Sequence, residues 1–140
     1  MIDHVSIGVR DLARARAFYD AVLAPLGYRR MFDVEDASGY GRSEPHPLKE
    51  QSLPFWIAHN ADGPALNGHV CFSAPFRAAV DGFHAAALAA GGRDNGKPGL
   101  RPGYHANYYA AFIIDLNGHN IEAFAIHQSL ICAIGRARCL

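Results

Sequence analysis

His4 and His69 stand sixty-five positions apart, and each opens the same short motif, His4-Val5 returning as His69-Val70. An imidazole can hold a metal ion or move a proton near neutral pH. Both histidines sit in runs where apolar and polar residues alternate. Val5, Ile7 and Val9 take one phase, while His4, Ser6 and Gly8 take the other. In the second run Val70 and Phe72 oppose His69, Cys71 and Ser73. Period-two alternation marks a strand with two unlike faces, and both imidazoles fall on the face opposite the apolar one. The residues alone leave two readings open: a matched functional pair, or two unrelated surface histidines.

The offset extends beyond the pair. From position 4 to 29, eight of 26 residues are identical to those sixty-five places on, without a gap, which is enough to read the chain as two copies of one unit. The elements that position the imidazoles follow in order. Asp11 is a plausible helix N-cap, and Leu12, Ala15, Phe18 or Tyr19, Val22 and Leu26 form an apolar stripe that Pro25 and Gly27 end. Strands are predicted at 28–34, 39–43 and 53–58, with the proline-bearing stretch 44–51 as surface loop. Residues 60–68 read as a linker. A strand at 69–73 then leads through Pro75 into a second helix whose stripe is Phe76, Ala79 or Val80, Phe83 and Ala87. A strand near Arg93, a long aperiodic loop over 94–107 and a hairpin turning at Asn117-Gly118 complete the copy. Each copy is strand, helix and three strands.

Composition narrows the function classes. Half of the residues are hydrophobic, 19% are charged and the formal net charge is zero, so no basic stripe argues for nucleic acid or an anionic membrane. No run approaches a membrane span, and no signal pattern opens the chain, so a cytoplasmic protein is the default. Three cysteines, an odd number, read as free thiols. No GxSxG, Walker or dinucleotide motif is present, which argues against serine hydrolase, NTPase and NAD-dependent chemistry.

Further groups suited to chemistry lie late in the chain. Arg101, Tyr104 and His105, on the glycine- and proline-rich loop, can grip an anionic substrate or simply be solvated. Tyr108 and Tyr109 take opposite strand faces, so at most one can offer a phenol to a developing oxyanion. His46, His59, His84, His119 and His127 read as surface or helix-face residues.

The opening Asp3-His4-Val5-Ser6-Ile7-Gly8-Val9-Arg10-Asp11-Leu12 leads to Ala17-Phe18-Tyr19 and Leu26-Gly27. With Gly68-His69-Val70 and the closing Asp115-Leu116-Asn117-Gly118-His119-Asn120-Ile121-Glu122, it resembles the vicinal oxygen chelate superfamily of glyoxalases, bleomycin-resistance proteins and extradiol dioxygenases. The resemblance covers residues 1 to about 127. It implies an α+β fold of two tandem βαβββ modules, about 1–59 and 69–127. Their curled mixed sheet would surround a cleft with helices on its outer face, often in a homodimer. Residues 128–140 form a tail with no assigned role.

The resemblance also implies metal ligands at His4, His69 and Glu122. The fourth family position falls near Trp56 or Ile57, where nothing can ligate. Two imidazoles and one carboxylate admit Fe, Mn, Zn or Ni and leave positions open for a small-molecule substrate. Trp56 and Phe124 would join Arg101 and His105 in lining the substrate cleft, unless Trp56 is the core's one tryptophan, and Tyr108 or Tyr109 would be either the catalytic phenol or a packing residue. Two functions follow as expectations. One is a metalloenzyme acting as isomerase or lyase, dioxygenase or thiol transferase on an oxygen-rich substrate. The other is a metal-free protein that sequesters its ligand, as bleomycin-resistance relatives do.

Overall fold

The computed structural model describes residues 2–42, 53–62 and 68–128. The first copy runs β1 (Val5–Val9), α1 (Leu12–Leu23), β2 (Tyr28–Asp33), β3 (Ala37–Arg42) and β4 (Phe55–His59). The second runs β5 (His69–Ser73), α2 (Arg77–Ala89), β6 (Arg93–Leu100), β7 (Tyr109–Ile114) and β8 (Asn120–Ala125). Each copy makes its own four-stranded mixed sheet, in the orders β1-β4-β3-β2 and β5-β8-β7-β6. The first strand of each is parallel to the last, and the other pairings are antiparallel. The chain is therefore α+β, built from two tandem βαβββ modules, as the repeat predicts. The sheets remain separate and do not close on each other.

Local chemistry explains the elements. Asp11 caps α1 by accepting the backbone N–H of Arg14 at 3.0 Å, satisfying a donor that the first turn leaves unpaired. A short 3-10 turn over Ala24–Leu26 ends at Gly27, whose φ of +81° suits glycine. The second helix starts at Arg77, two residues after Pro75, without a side-chain cap.

One reading changes. The stretch 94–107 is not all loop, because β6 occupies Arg93–Leu100 as an edge strand. Register shifts at Asp94/Gly96 and Gly96/Gly99 break its periodicity, and an edge position tolerates Pro98. The surface loop predicted for 44–51 lies outside the described residues, as do His46, Cys132 and Cys139.

Each helix covers one face of its sheet, and the two helix faces share a single core. Val9, Phe18, Tyr19, Val22, Phe55 and Ile57 of the first module join Val80, Phe83, Ala111, Ile113, Ile121 and Ala123 of the second. Phe55 and Phe72 meet edge to face at 5.1 Å across the junction. Burial of this kind contributes roughly 25 cal/mol per Å² of apolar surface, so neither module retains its core alone.

The β7–β8 turn fastens the two modules. The Tyr19 hydroxyl donates to Asp115 Oδ2 at 2.7 Å, while Asp115 Oδ1 accepts the N–H groups of Asn117 and His119. The Asn117 side chain accepts Arg10 N–H at 3.0 Å, and His119 Nε2 donates to the Gly8 carbonyl at 2.9 Å. Gly118, with φ +98°, allows the tight reversal that brings these groups together. His119 is thus buried between modules, correcting its reading as a surface residue. His84 is buried as well, and pairs with Asp94 at 2.9 Å to tie α2 to β6.

Two measurements test these ties. Tyr19→Phe should cost about 1–2 kcal/mol in urea unfolding and Asp115→Ala about 2–4, because the latter strands three buried or partly buried donors. Equal small losses would remove the turn from its fastening role. Separately, the His84 hydrogen bond, then the Gly96 N–H, hold Asp94 below the usual carboxylate range. A depressed folded pKa contributes stability that is complete above the unfolded value and lost as pH falls through the folded one. Asp94→Asn should therefore flatten the fall of melting temperature below about pH 4. An unchanged acid limb would exclude the pair as its source.

Candidate active site

Hairpin register places the chemistry. The turn at Asn117-Gly118 pairs Phe112 with Glu122 and Ala110 with Phe124, and β5 sets Cys71 opposite Glu122. Directly paired residues share a sheet face. The odd-numbered residues of β7 and β8 enter the core, so Glu122, Phe112, Phe124, Cys71 and His69 occupy the open face of the second sheet. Glu122 is only 3% exposed.

A buried carboxylate requires partners, and Glu122 has them on both oxygens. The His69 ring donates from Nε2 to Oε2 at 2.9 Å, and the Tyr108 hydroxyl donates to Oε1 at 2.8 Å. Since a carboxylate only accepts, the proton of the first bond sits on Nε2. Tyr108 stacks on Phe124 at 4.8 Å with planes 9° apart, and Tyr104 meets it edge-on at 5.3 Å. Burial and the Glu122 hydrogen bond raise the Tyr108 pKa, keeping the phenol neutral. The Cys71 sulfur lies 4.0 Å from the Tyr108 oxygen. Burial of the sulfur first, then the negative charge of Glu122, pushes its pKa up to about 12.

The candidates read from sequence separate into groups. His69, Glu122, Tyr108 and Phe124 come together, and Arg101 joins their edge. The guanidinium of Arg101 lies 5.6 Å over the Phe112 ring, whose centroid is 6.3 Å from that of His69. Tyr109 is elsewhere: its hydroxyl donates to Asp81 of α2, and Arg77 covers its ring, so it serves the helix face. His105 is exposed in the turn after Arg101, where its Nδ1 accepts Asn107 N–H. His4 is an exposed residue just before β1, paired with its neighbour Asp3.

Trp56 belongs to the first module's open face. It lies across Gly39, where a Cβ would stand 2.9 Å from the indole, and its ring N–H donates to the Leu53 carbonyl. Phe32 meets it edge-on at 5.8 Å. Trp56 pairs with Ser6 as Glu122 pairs with Cys71, so Trp56, and not Ile57, is the first module's counterpart of Glu122.

A divalent ion on His69 and Glu122 would need a third protein ligand. Among the described residues no group of three or more histidine, cysteine, aspartate or glutamate side chains could hold a metal. Among the described residues of one chain His4 does not join the other two, so these three do not complete a metal site there. Sequence reasoning missed Cys71 and Phe112 as site residues. The first was legible from its phase with His69, the second from counting back across the Asn-Gly turn.

The family model described as the Glyoxalase/Bleomycin resistance protein/Dioxygenase superfamily matches residues 1–123. The chain belongs to this superfamily. Among solved members, a glyoxalase/bleomycin resistance protein from Albidiferax ferrireducens is 30% identical, with a TM-score of 0.72 over 88% of this chain and 96% of that one. A glyoxalase I variant from Zea mays shares the fold at 19% identity and TM-score 0.66, over 88% of this chain and 46% of that one. The fosfomycin resistance protein FosX from Mesorhizobium loti does so at 14% identity and TM-score 0.61, over 96% and 97%. No curated protein sequence matches the chain. No helix among the described residues is long and apolar enough to cross a membrane.

The field of Glu122 can be read through Cys71. With its pKa raised, Cys71 is almost wholly the neutral thiol at pH 8, and only the thiolate reacts. Iodoacetamide labelling, followed on the Cys71 peptide, should run at least about tenfold slower than for free cysteine. Glu122→Gln should speed it at least about tenfold. Labelling at the free-cysteine rate would contradict this electrostatic picture.

Proposed function

We propose that the protein is an enzyme of this superfamily acting on a small, oxygen-rich molecule over the open face of the second module. One observation carries the proposal: buried Glu122 holds His69 by Nε2, and Nδ1 has no protein partner among the described residues. A carboxylate that fixes one imidazole nitrogen leaves the other as a base and stabilises the imidazolium that forms. The exposed half of His69 would take a proton from a carbon next to a carbonyl or hydroxyl. Tyr108, a neutral phenol, would turn its hydrogen bond towards the oxygen on which charge develops. Isomerase or lyase chemistry is the reaction type this centre supports.

A second reading keeps His69 and Glu122 as ligands of a divalent ion, Fe, Mn, Zn or Ni, with His4 supplied by the second copy of a homodimer. The convergence of imidazole and carboxylate favours it. The stacked Tyr108–Phe124 pair would also suit a ligand-sequestering protein with no activity.

Proton wash-out from a panel of small 2-hydroxy ketones in D₂O, with metal analysis of untagged protein, separates the three. The first reading expects exchange that falls about 10²–10⁴-fold in His69→Asn and Glu122→Gln and survives His4→Ala. Bound metal, loss of exchange in His4→Ala and its recovery on mixing His4→Ala with Glu122→Ala chains would replace it with the dimeric metal site. Ligand binding without exchange on any compound would leave the sequestering role.

A further inference from the structure

Arg101 is a cation with no acidic partner in this site. Its guanidinium donates from one terminal nitrogen to the Lys97 carbonyl at 2.7 Å and from the other to the Leu100 carbonyl at 3.3 Å. Three of its five N–H groups are left over, and among the described residues no carboxylate reaches it within ion-pair distance. The chain nevertheless makes a seat for it. A Cβ at Gly96 would stand 2.9 Å from the Phe112 ring and 3.5 Å from one guanidinium nitrogen, and a Cβ at Gly99 would stand 3.1 Å from the other. Two glycines in the edge strand thus clear a shelf on which the planar cation lies against Phe112. Gly96, at φ +155°, could not readily be another residue.

The shelf shares its sheet face with Glu122. Gly96, Phe112, Glu122 and Cys71 form one row across β6, β7, β8 and β5. Strands lie about 4.8 Å apart, so the guanidinium's seat and the Glu122 carboxylate, two strands over, are roughly 10 Å apart. Between them stands the Phe112 ring, with His69 on its far side. A molecule of a few carbons spans that gap.

We infer that Arg101 anchors a compact oxyanion on the substrate, a carboxylate or a phosphate-type group, while His69, held by Glu122, meets its other end. This deepens the proposed reaction and rests on it for the identity of the second end only. A planar guanidinium with free N–H groups is suited to bidentate oxyanion recognition, and its aromatic seat holds the fork in place.

Backbone amide shifts of Gly96, Gly99 and Phe112 in the full-length protein report binding at the shelf. The probes are mandelate, its neutral amide and inorganic phosphate. Mandelate or phosphate should shift these amides, and Arg101→Gln should weaken that binding at least about tenfold. Arg101→Lys, which keeps charge without the fork, should fall between. Mandelamide should bind native protein at least about tenfold more weakly than mandelate. A response to phosphate alone would fix the anion as phosphate-type, and a response to mandelate alone as carboxylate. No response to either, equal binding of mandelate and mandelamide, or full binding by a folded Arg101→Gln variant would overturn the anchor. Glu122→Gln should keep anion binding. If it also keeps full proton exchange, the reaction centre fails while the anchor stands.

Discussion

The tie between Asp115 and Tyr19 is what makes two modules one molecule. A carboxylate in the last hairpin turn is buried, and its cost there is offset only because both oxygens are occupied. One oxygen receives a phenol from the first module's helix, and the other organises the turn. Asn117 and His119, fixed by that turn, then reach back to Arg10 and Gly8 at the end of β1. Around this point the two helix faces fuse into a shared core that neither βαβββ unit could complete alone.

The same turn sets the site. Side chains alternate along a strand, so a shift of one residue in the hairpin would send Glu122 into the core and Ile121 to the open face. With the register as it is, Glu122 faces Phe112 and Cys71 and lies within reach of His69 and Tyr108. Charge-assisted bonds on both oxygens hold the carboxylate in one orientation. That orientation fixes the His69 proton on Nε2 and adds to the burial that keeps Tyr108 neutral and makes Cys71 a poor nucleophile. Site chemistry and module docking therefore meet in one short hairpin.

Duplication has left the two open faces unlike. The second carries an acid and an imidazole on its strands, with a phenol and a cation from the ends of the β6–β7 connection. Its counterpart presents Trp56 laid over Gly39, with Phe32 at its edge, where the second module has Glu122. The repeated scaffold conserves the core-facing phase and the strand order, whereas the outward-facing phase is free to differ. An indole platform and a carboxylate–imidazole pair can thus sit on two versions of one sheet.

The amino-acid sequence by itself determined the two modules, because core packing demands the same apolar phase in each copy and that phase is written at fixed spacing. Strand alternation also gave His69 its open-face phase, whereas Glu122 entered through the superfamily resemblance, and the observed register puts the two on one face. Tertiary structure alone decided the rest. Periodicity put Tyr108 and Tyr109 on opposite faces, but only α2, offering Asp81 and Arg77, assigned Tyr109 to the helix side. His119 read as a surface residue until the Gly8 carbonyl, distant in sequence, allowed its burial, and His84, read as surface or helix-face, is buried on α2 against Asp94. The glycines and proline of 94–100 hid an edge strand, because bulges erase alternation. His4 matched His69 in phase yet stayed apart from it, and Arg101 found its shelf on Phe112. Spacing along the chain specifies which way a side chain points; distance between elements is set by packing, and packing decides which of them meet.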